Sequence, residues 1–489
     1  MLSVAIVHHH LRGGGVTRVI ANAVHAMRER GVSAVVLSGE APPDDFPSGV
    51  AVEVVPGLAY AADAPAGAAT NGVGDLLREM RTAARRALGG EPALWHVHNH
   101  CLGKNPQVTL AVRQLASQEV PLLLQIHDFA EDGRPVNYRG LRRALEGQES
   151  AGLPDVLYPM GARVHYALLN RRDANALVRA GLPEPRCHVL PNSVSLGEEV
   201  RLDPAPARDE ALVVYPTRAI RRKNLGEFIL WALCDPERRF AVTLAPKNPE
   251  AREVYESWVA FAESANLPVT FEYGAKTQVP FATLLASAGA AATASVGEGF
   301  GLAFLEPWLA GTPVVGRDLP SITQDFKEEG IDLYALYERL DVPLEWVGRE
   351  PLRNRLAAAM QATWEAYGRH LPESALEKAL DAAVQGDWVD FGRLDEPLQR
   401  EALHACRKDA ASREHVRRTV FGQHSNDAGM VDRNRQAVQD RFSAAAYAEK
   451  LENLYRLAID DDGGNLEHLD PERVLDAFLE PRRFTLLRS

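Results

Sequence analysis

Two stretches of this chain alternate short apolar runs with amphipathic helical patterns, and a polar, proline-containing stretch at 193–210 separates them. In the first, the runs fall at 2–7, 33–37, 50–55, 94–98, 122–126, 165–169 and 188–190. Helical spacing fills the gaps. Val16, Val19, Ile20, Ala23, Val24 and Met27 recur on one face until Gly31, and similar patterns cover 74–88, 106–116 and 172–180. The rhythm restarts with runs at 211–216, 240–245, 269–273, 290–296 and 313–316, and helices begin near Asn224, Pro249, Phe281 and Gly301. Continuous apolar runs mark strands buried on both faces, and their alternation with helices implies parallel βαβ sheets. The expectation is an α/β chain with two Rossmann-like domains, 1–195 and 196–330, facing across a cleft. At 489 residues the chain also exceeds what one core usually supports.

Beyond Ile331 the pattern turns mainly helical, so 331–489 is expected to complete the second domain and cross back to the first. Leu356, Met360, Trp364 and Tyr367 share one helical face, and Tyr447, Leu451, Leu454 and Tyr455 share another, with Ser443 as a cap. The run Asp460-Asp-Asp-Gly-Gly464 breaks the chain before a last helical stretch ending near Leu479. Residues 331–430 carry no motif.

A net charge of −12 argues against nucleic acid as a partner. Four scattered cysteines lack metal spacing and read as buried thiols of a reducing compartment. The apolar N-terminal run is too short to span a membrane or direct secretion, so a cytoplasmic protein is expected. His8-His9-His10 belongs to a strand-then-glycine pattern and is not a tag. Arg78, Arg81, Arg85 and Arg86 read as a solvated helix face, so stable membrane association is not expected.

Doubly wound domains bind ligands at the carboxyl ends of their strands. In the first domain those ends carry His10, Gly13–Gly15, His96, His98, Asn99, His100, Lys104, His127 and Asp128. In the second they carry Arg218, Lys223 and the segment Ser295-Val-Gly-Glu-Gly-Phe-Gly-Leu-Ala-Phe-Leu-Glu306. Glycines there let the backbone approach a ligand, and a following helix offers unpaired N–H groups to a phosphate. Glu298 lies in the loop, and Glu306 is expected roughly two turns further on, inside that helix. Carboxylates accept hydrogen bonds in pairs, as sugar hydroxyls require. Arg218 and Lys223 could neutralise a diphosphate, and Arg221 and Arg222 add to the same basic loop. His96, His98 and His100 would share one face if their strand continued.

These motifs resemble those of the retaining, GT-B-type glycosyltransferases of family 4. The matches are Gly14-Gly15-Val16, Gln125-Ile-His-Asp128, Leu190-Pro-Asn-Ser193, Arg218…Lys223 and Glu298…Glu306, in order over 1–330. The segment Tyr166–Asp173 and the helices from Asn434 to Leu457 resemble further parts of the family. Ser193, Thr217 and Asn224 stand where glycine or another residue is common, and none of them removes a charged group. The region 331–430 is longer than the family leads one to expect.

The resemblance implies transfer of a hexose from a nucleoside diphosphate sugar to a small polar acceptor, phosphorylated or carboxylated among the options, with retained configuration. No cofactor and no metal would be required. It places Arg218 and Lys223 on the diphosphate, Glu306 on the ribose hydroxyls, and Glu298 with the backbone of Gly299, Phe300, Gly301 and Leu302 on the sugar. It puts His127 beside the anomeric centre and lets Gly14 and Gly15 bring the first helix close to the donor. His98, His100, Lys104 and Asp128 are acceptor candidates, and Lys104 and Arg134 could read a negative charge. The alternatives are a nucleotide-sugar epimerase on the same scaffold and a non-catalytic sugar-binding relative.

Overall fold

The computed structural model describes residues 2–44, 46–63, 72–145, 156–161, 163–197, 206–422, 428–462 and 467–488. The chain divides into two units: 1–193 with 442–479, and 194–441 with 480–489. Within the polar stretch 193–210, residues 198–205 lie outside the described residues.

The first unit holds a seven-stranded parallel sheet. Its order is Ala51–Val54, Ser33–Ser38, Ser3–His8, Leu94–His98, Leu122–Ile126, Val164–Leu168, Cys187–Val189. Every residue of Leu94–His98, Leu122–Ile126 and Val164–Leu168 is buried, the polar His96, His98, Gln125 and His165 included. The helix Gly15–Glu29 buries Val19, Ile20, Ala23, Val24 and Met27. Late in the chain, the helix Ala444–Asp460 sets Tyr447, Leu451, Leu454 and Tyr455 into that same core beside Leu94 and Leu123. Ser443 caps it, its hydroxyl accepting from the Ala446 N–H at 3.2 Å. Two tyrosines of this helix also bond polar groups of the sheet: Tyr455 Oη lies 2.9 Å from His96 Nδ1, and Tyr447 donates to Gln125 at 3.1 Å. After the helix, Asp461 sits 3.2 Å from His165 and accepts from Arg186 at 3.0 Å; Gly463 and Gly464 of the expected break lie outside the described residues.

The four arginines of the helix Val73–Leu88 are occupied at the surface. Arg78, Arg85 and Arg86 pair with Asp75, Glu91 and Glu53, and Arg81 donates to Gln118. No helix among the described residues is long and apolar enough to cross a membrane. All four cysteines are unbridged, and the Sγ atoms of Cys234 and Cys406 lie 3.8 Å apart.

In the second unit five parallel strands run in the order Val269–Thr270, Arg239–Leu244, Asp209–Arg218, Ala288–Thr293, Val314–Gly316. The run at 269–273 yields only two strand residues, because Tyr273–Thr277 coils into a helix. Residues 331–430 share this unit's core: Leu352, Leu356, Leu398 and Leu403 pack with Phe228, Trp231 and Phe240. They are mostly helical but also contain a three-stranded antiparallel sheet of Asp341–Pro343, Trp388–Asp390 and Val384–Gln385. Strands of two or three residues are too short to show a period of two, so the sequence pattern missed them. A buried ionic triad ties this region to the sheet. Arg317 donates to Glu227 at 2.7 Å and to Asp390 at 2.8 Å, all three side chains at most 5% exposed.

Candidate functional site

In each sheet the chain leaves its first strand to one side and later returns to the other. That opens a gap beyond the carboxyl ends of two neighbouring central strands, where α/β sheets bind ligands. In the second unit the gap lies between Asp209–Arg218 and Ala288–Thr293. Arg218 ends the former and Lys223 follows it, and Glu298 follows the latter.

The turn Arg221–Lys223 is a single 3-10 turn, in which successive side chains project about 120° apart because there are three residues per turn. Its three cations therefore go different ways. Arg221 grips both oxygens of Glu396 at 2.7 and 2.9 Å. Arg222 donates to Glu298 Oε2 at 3.0 Å, and Lys223 pairs with the other oxygen, Oε1. Backbone bonds fix the two loops together, since the Arg222 carbonyl accepts from Val296 N–H at 2.9 Å and from Ser295 Oγ at 3.2 Å. The Tyr215 hydroxyl supports the turn from below, donating to the Lys223 carbonyl at 2.7 Å.

Glu298 is 8% exposed and Lys223 14%. Burial works against the charge on Glu298, yet Lys223 and Arg222 together hold its carboxyl below the usual range. Burial draws the Lys223 ammonium below its ordinary value, and Glu298 pulls the other way. Arg218 ends its strand exposed, with no ion-pair partner among the described residues.

Glu306 departs from the expected position inside a helix. It is the first residue of a four-residue helix, Glu306–Leu309, and the segment before it is a separate 3-10 turn, Leu302–Phe304. Pro307 is the physical reason. Proline lacks an N–H and crowds the preceding turn, so a helix started near Gly301 cannot run through it. The segment after Gly301 therefore does not provide the long helix expected as a phosphate seat. Gly301 does adopt a left-handed φ of 98°, as a sharp turn after the carboxylate loop requires. Phe300 is buried edge-on against Phe326 at 5.5 Å, so its ring is held in the interior.

In the first unit the corresponding gap lies between Ser3–His8 and Leu94–His98. His98 Nδ1 sits 2.9 Å from His127 Nε2 with the rings stacked, and the His8 ring lies 6.1 Å from that of His98. His100 does not join that face. The strand stops at His98, and Asn99 takes a left-handed φ of 55°, its side chain accepting from the N–H groups of His127 at 2.8 Å and Asp128 at 3.2 Å. This turn sends His100 inward, where Nε2 lies 2.8 Å from the Leu157 carbonyl between Tyr158 and Tyr166. Burial lowers His127 and His100 to about 4 and His96 to about 3, and drives His8 and His98 well below the ordinary value. The cluster is neutral at neutral pH.

Asp128 pairs with Arg134, and the exposed Lys104 ammonium lies 5.6 Å from the Tyr60 ring centre. Gly14 caps the first helix and Gly15 begins it. A Cβ at Gly15 would meet nothing within 4 Å, and one at Gly14 only the Arg12 carbonyl at 3.8 Å, so the space before this helix is open. Among the described residues, no group of three or more His, Cys, Asp or Glu side chains is arranged to hold a metal ion.

Residues 14–193 match the family described as "Glycosyl transferase 4-like domain". A curated relative, mannosylglucosyl-3-phosphoglycerate synthase of Petrotoga mobilis, is 28% identical over 334 residues, covering 64% of this chain and 62% of that protein. Residues 14–193 thus carry a glycosyl transferase 4-like domain. The chain matches under two thirds of the curated relative's length. Solved structures show the same fold across nearly the whole chain. A glycosyltransferase from Rickettsia africae is 10% identical with a TM-score of 0.55, covering 94% of this chain and 99% of its own. Anabaena HepE, solved with UDP and glucose, is 13% identical with a TM-score of 0.51 over 93% and 99%.

Some contacts of this protein had no local sequence signal. An Arg-Arg-Lys run does not say which cation faces which carboxylate. The partners Glu396 and Gln399 lie 175 positions from the residues they bond.

Proposed function

We propose that this protein transfers a hexose from a nucleoside diphosphate sugar to a small anionic acceptor, with retention at the anomeric carbon. The observation that carries the reading is the contact of Lys223 and Arg222 with Glu298 at the switch point of the second unit's sheet. A cation beside a carboxylate at one strand edge matches a donor with two faces. Lys223, with the exposed Arg218, takes the diphosphate, and Glu298 with the backbone of Gly299 to Leu302 takes the sugar hydroxyls. Glu306 accepts from the ribose. As the bond from the anomeric carbon to the diphosphate oxygen breaks, the electron pair stays on the leaving group, and the fixed cations stabilise it there. The acceptor hydroxyl then bonds the same face of the sugar, and its proton passes to the departing diphosphate oxygen.

In the first unit, the open space at Gly14 and Gly15 supports close approach of substrate to the first helix. His127 and His98, neutral and near the strand ends, offer hydrogen bonds without charge, and Lys104 and Asp128 stand at the rim. His100 is buried inside the unit with Nε2 on the Leu157 carbonyl, and is set aside as an acceptor ligand. The relative's name specifies a phosphoglycerate compound, which supports an acceptor with a negative charge for Lys104 to meet.

Thermal-shift titration with UDP, GDP and ADP, followed by hydrolysis of sugars on the nucleotide that binds, tests the reading. One of the three is expected to raise the melting temperature, and Glu306→Ala to weaken its binding. A protein that none of them stabilises, and that hydrolyses no sugar nucleotide, does not have this function.

A further inference from the structure

We propose that Gln399 and Glu396, in the region without a motif, are positioning residues for the donor diphosphate. They hold the turn 221–224 in the shape that aims Lys223 at Glu298. The proposal rests on the donor-site reading above.

Asn224 follows Lys223 directly and sits at φ 52°, ψ 56°, a left-handed conformation that few residues other than glycine adopt readily. Both ends of its side chain are used. The amide nitrogen donates to Glu227 at 2.7 Å, and the oxygen accepts from Gln399 Nε2 at 2.8 Å. Asn224 is 1% exposed and Gln399 is fully buried, so neither bond has water as a ready substitute.

The approach of Gln399 has left a mark on the sequence. Gly226 lies inside the helix Leu225–Cys234, where glycine is normally unfavourable. A Cβ there would come within 2.2 Å of Gln399 Oε1 and 2.8 Å of the Trp258 ring. Glycine at 226 makes room for the glutamine that bonds Asn224.

A second arm reaches the same turn. Glu396 takes Arg221 through both its oxygens, and the Leu486 carbonyl accepts from the same guanidinium at 3.2 Å. Both arms start from the helix Glu396–Cys406, itself capped by Asp395 and rooted in the core through Leu398, Ala402 and Leu403. The two outer residues of the turn are thus held by 331–430, and the two inner ones, Arg222 and Lys223, are left to face Glu298.

Gln399→Leu, Asn224→Gly and the double variant are compared by calorimetric titration with UDP, GDP and ADP, alongside melting temperature. Gln399→Leu is expected to weaken the nucleotide on the order of tenfold, the scale of one lost buried hydrogen bond. The double variant is expected to bind as tightly as Asn224→Gly alone, because glycine takes the left-handed conformation without a tether. A merely structural role would lower the melting temperature in both backgrounds and leave no such rescue. Wild-type affinity in Gln399→Leu, or the same tenfold loss in the Asn224→Gly background, overturns the proposal. Should Gln399→Leu not fold, Glu396→Gln serves instead: weaker nucleotide binding supports the proposal and unchanged binding overturns it. Wild-type protein that binds none of the three nucleotides overturns the donor-site reading itself.

Discussion

Replacing Lys223 with methionine keeps most of the side chain's bulk and removes its charge, so it isolates what the ammonium does. Lys223 is mostly buried and pairs with Glu298. At an effective dielectric constant of about 20, two unit charges some 4 Å apart interact by about 4 kcal/mol. Only the charge that develops on the leaving diphosphate counts toward the rate, so the loss is smaller, about 3 kcal/mol, the scale of removing one preorganised donor to an oxyanion. The kcat of Lys223→Met is therefore expected to fall on the order of a hundredfold. Stability should change less. Glu298 keeps Arg222 at 3.0 Å, so its buried charge is not left alone. Steady-state kinetics over a range of donor concentrations, with a denaturation curve for each protein, separates the two effects. A variant that turns over at the wild-type rate would falsify the diphosphate assignment. A variant that loses rate only in proportion to folded protein would reduce Lys223 to a structural ion pair.

Two further predictions concern stability. Arg317→Leu leaves Glu227 and Asp390 facing each other, both at most 5% exposed, and should cost about 3–5 kcal/mol in urea unfolding of the second unit; a midpoint equal to wild type would count against the triad. Acid should weaken the first unit. His96, His100 and His127 titrate near 3 to 4 when folded and near 6.5 when unfolded, so between those values the unfolded chain binds more protons and stability falls as pH falls. By linkage each contributes a loss of about 2 kcal/mol at pH 5. A flat urea midpoint from pH 7 to 5 contradicts buried, neutral histidines.

The runs at 94–98 and 122–126 coincide with observed strands because a strand buried on both faces needs a mainly apolar run whatever surrounds it. The helix around Tyr447 and Leu451 was legible for a similar reason, since its 3.6-residue period records one buried stripe. Where these elements failed, a local rule had been overlooked or a longer-range one had won. Pro307 split the helix carrying Glu306, a signal present in the sequence. Asn99 ended its strand one residue after His98 and turned His100 into the interior, which alternation alone does not foresee.

The sequence by itself determined two doubly wound sheets and the residues at their strand ends, because hydrophobic period and chain order are local properties. Only the tertiary structure decided which cation meets Glu298, and that the region without a motif grips the turn carrying Lys223. Those contacts join residues 75 to 175 positions apart through a few ion pairs and hydrogen bonds, and such contacts leave no periodic trace in the chain.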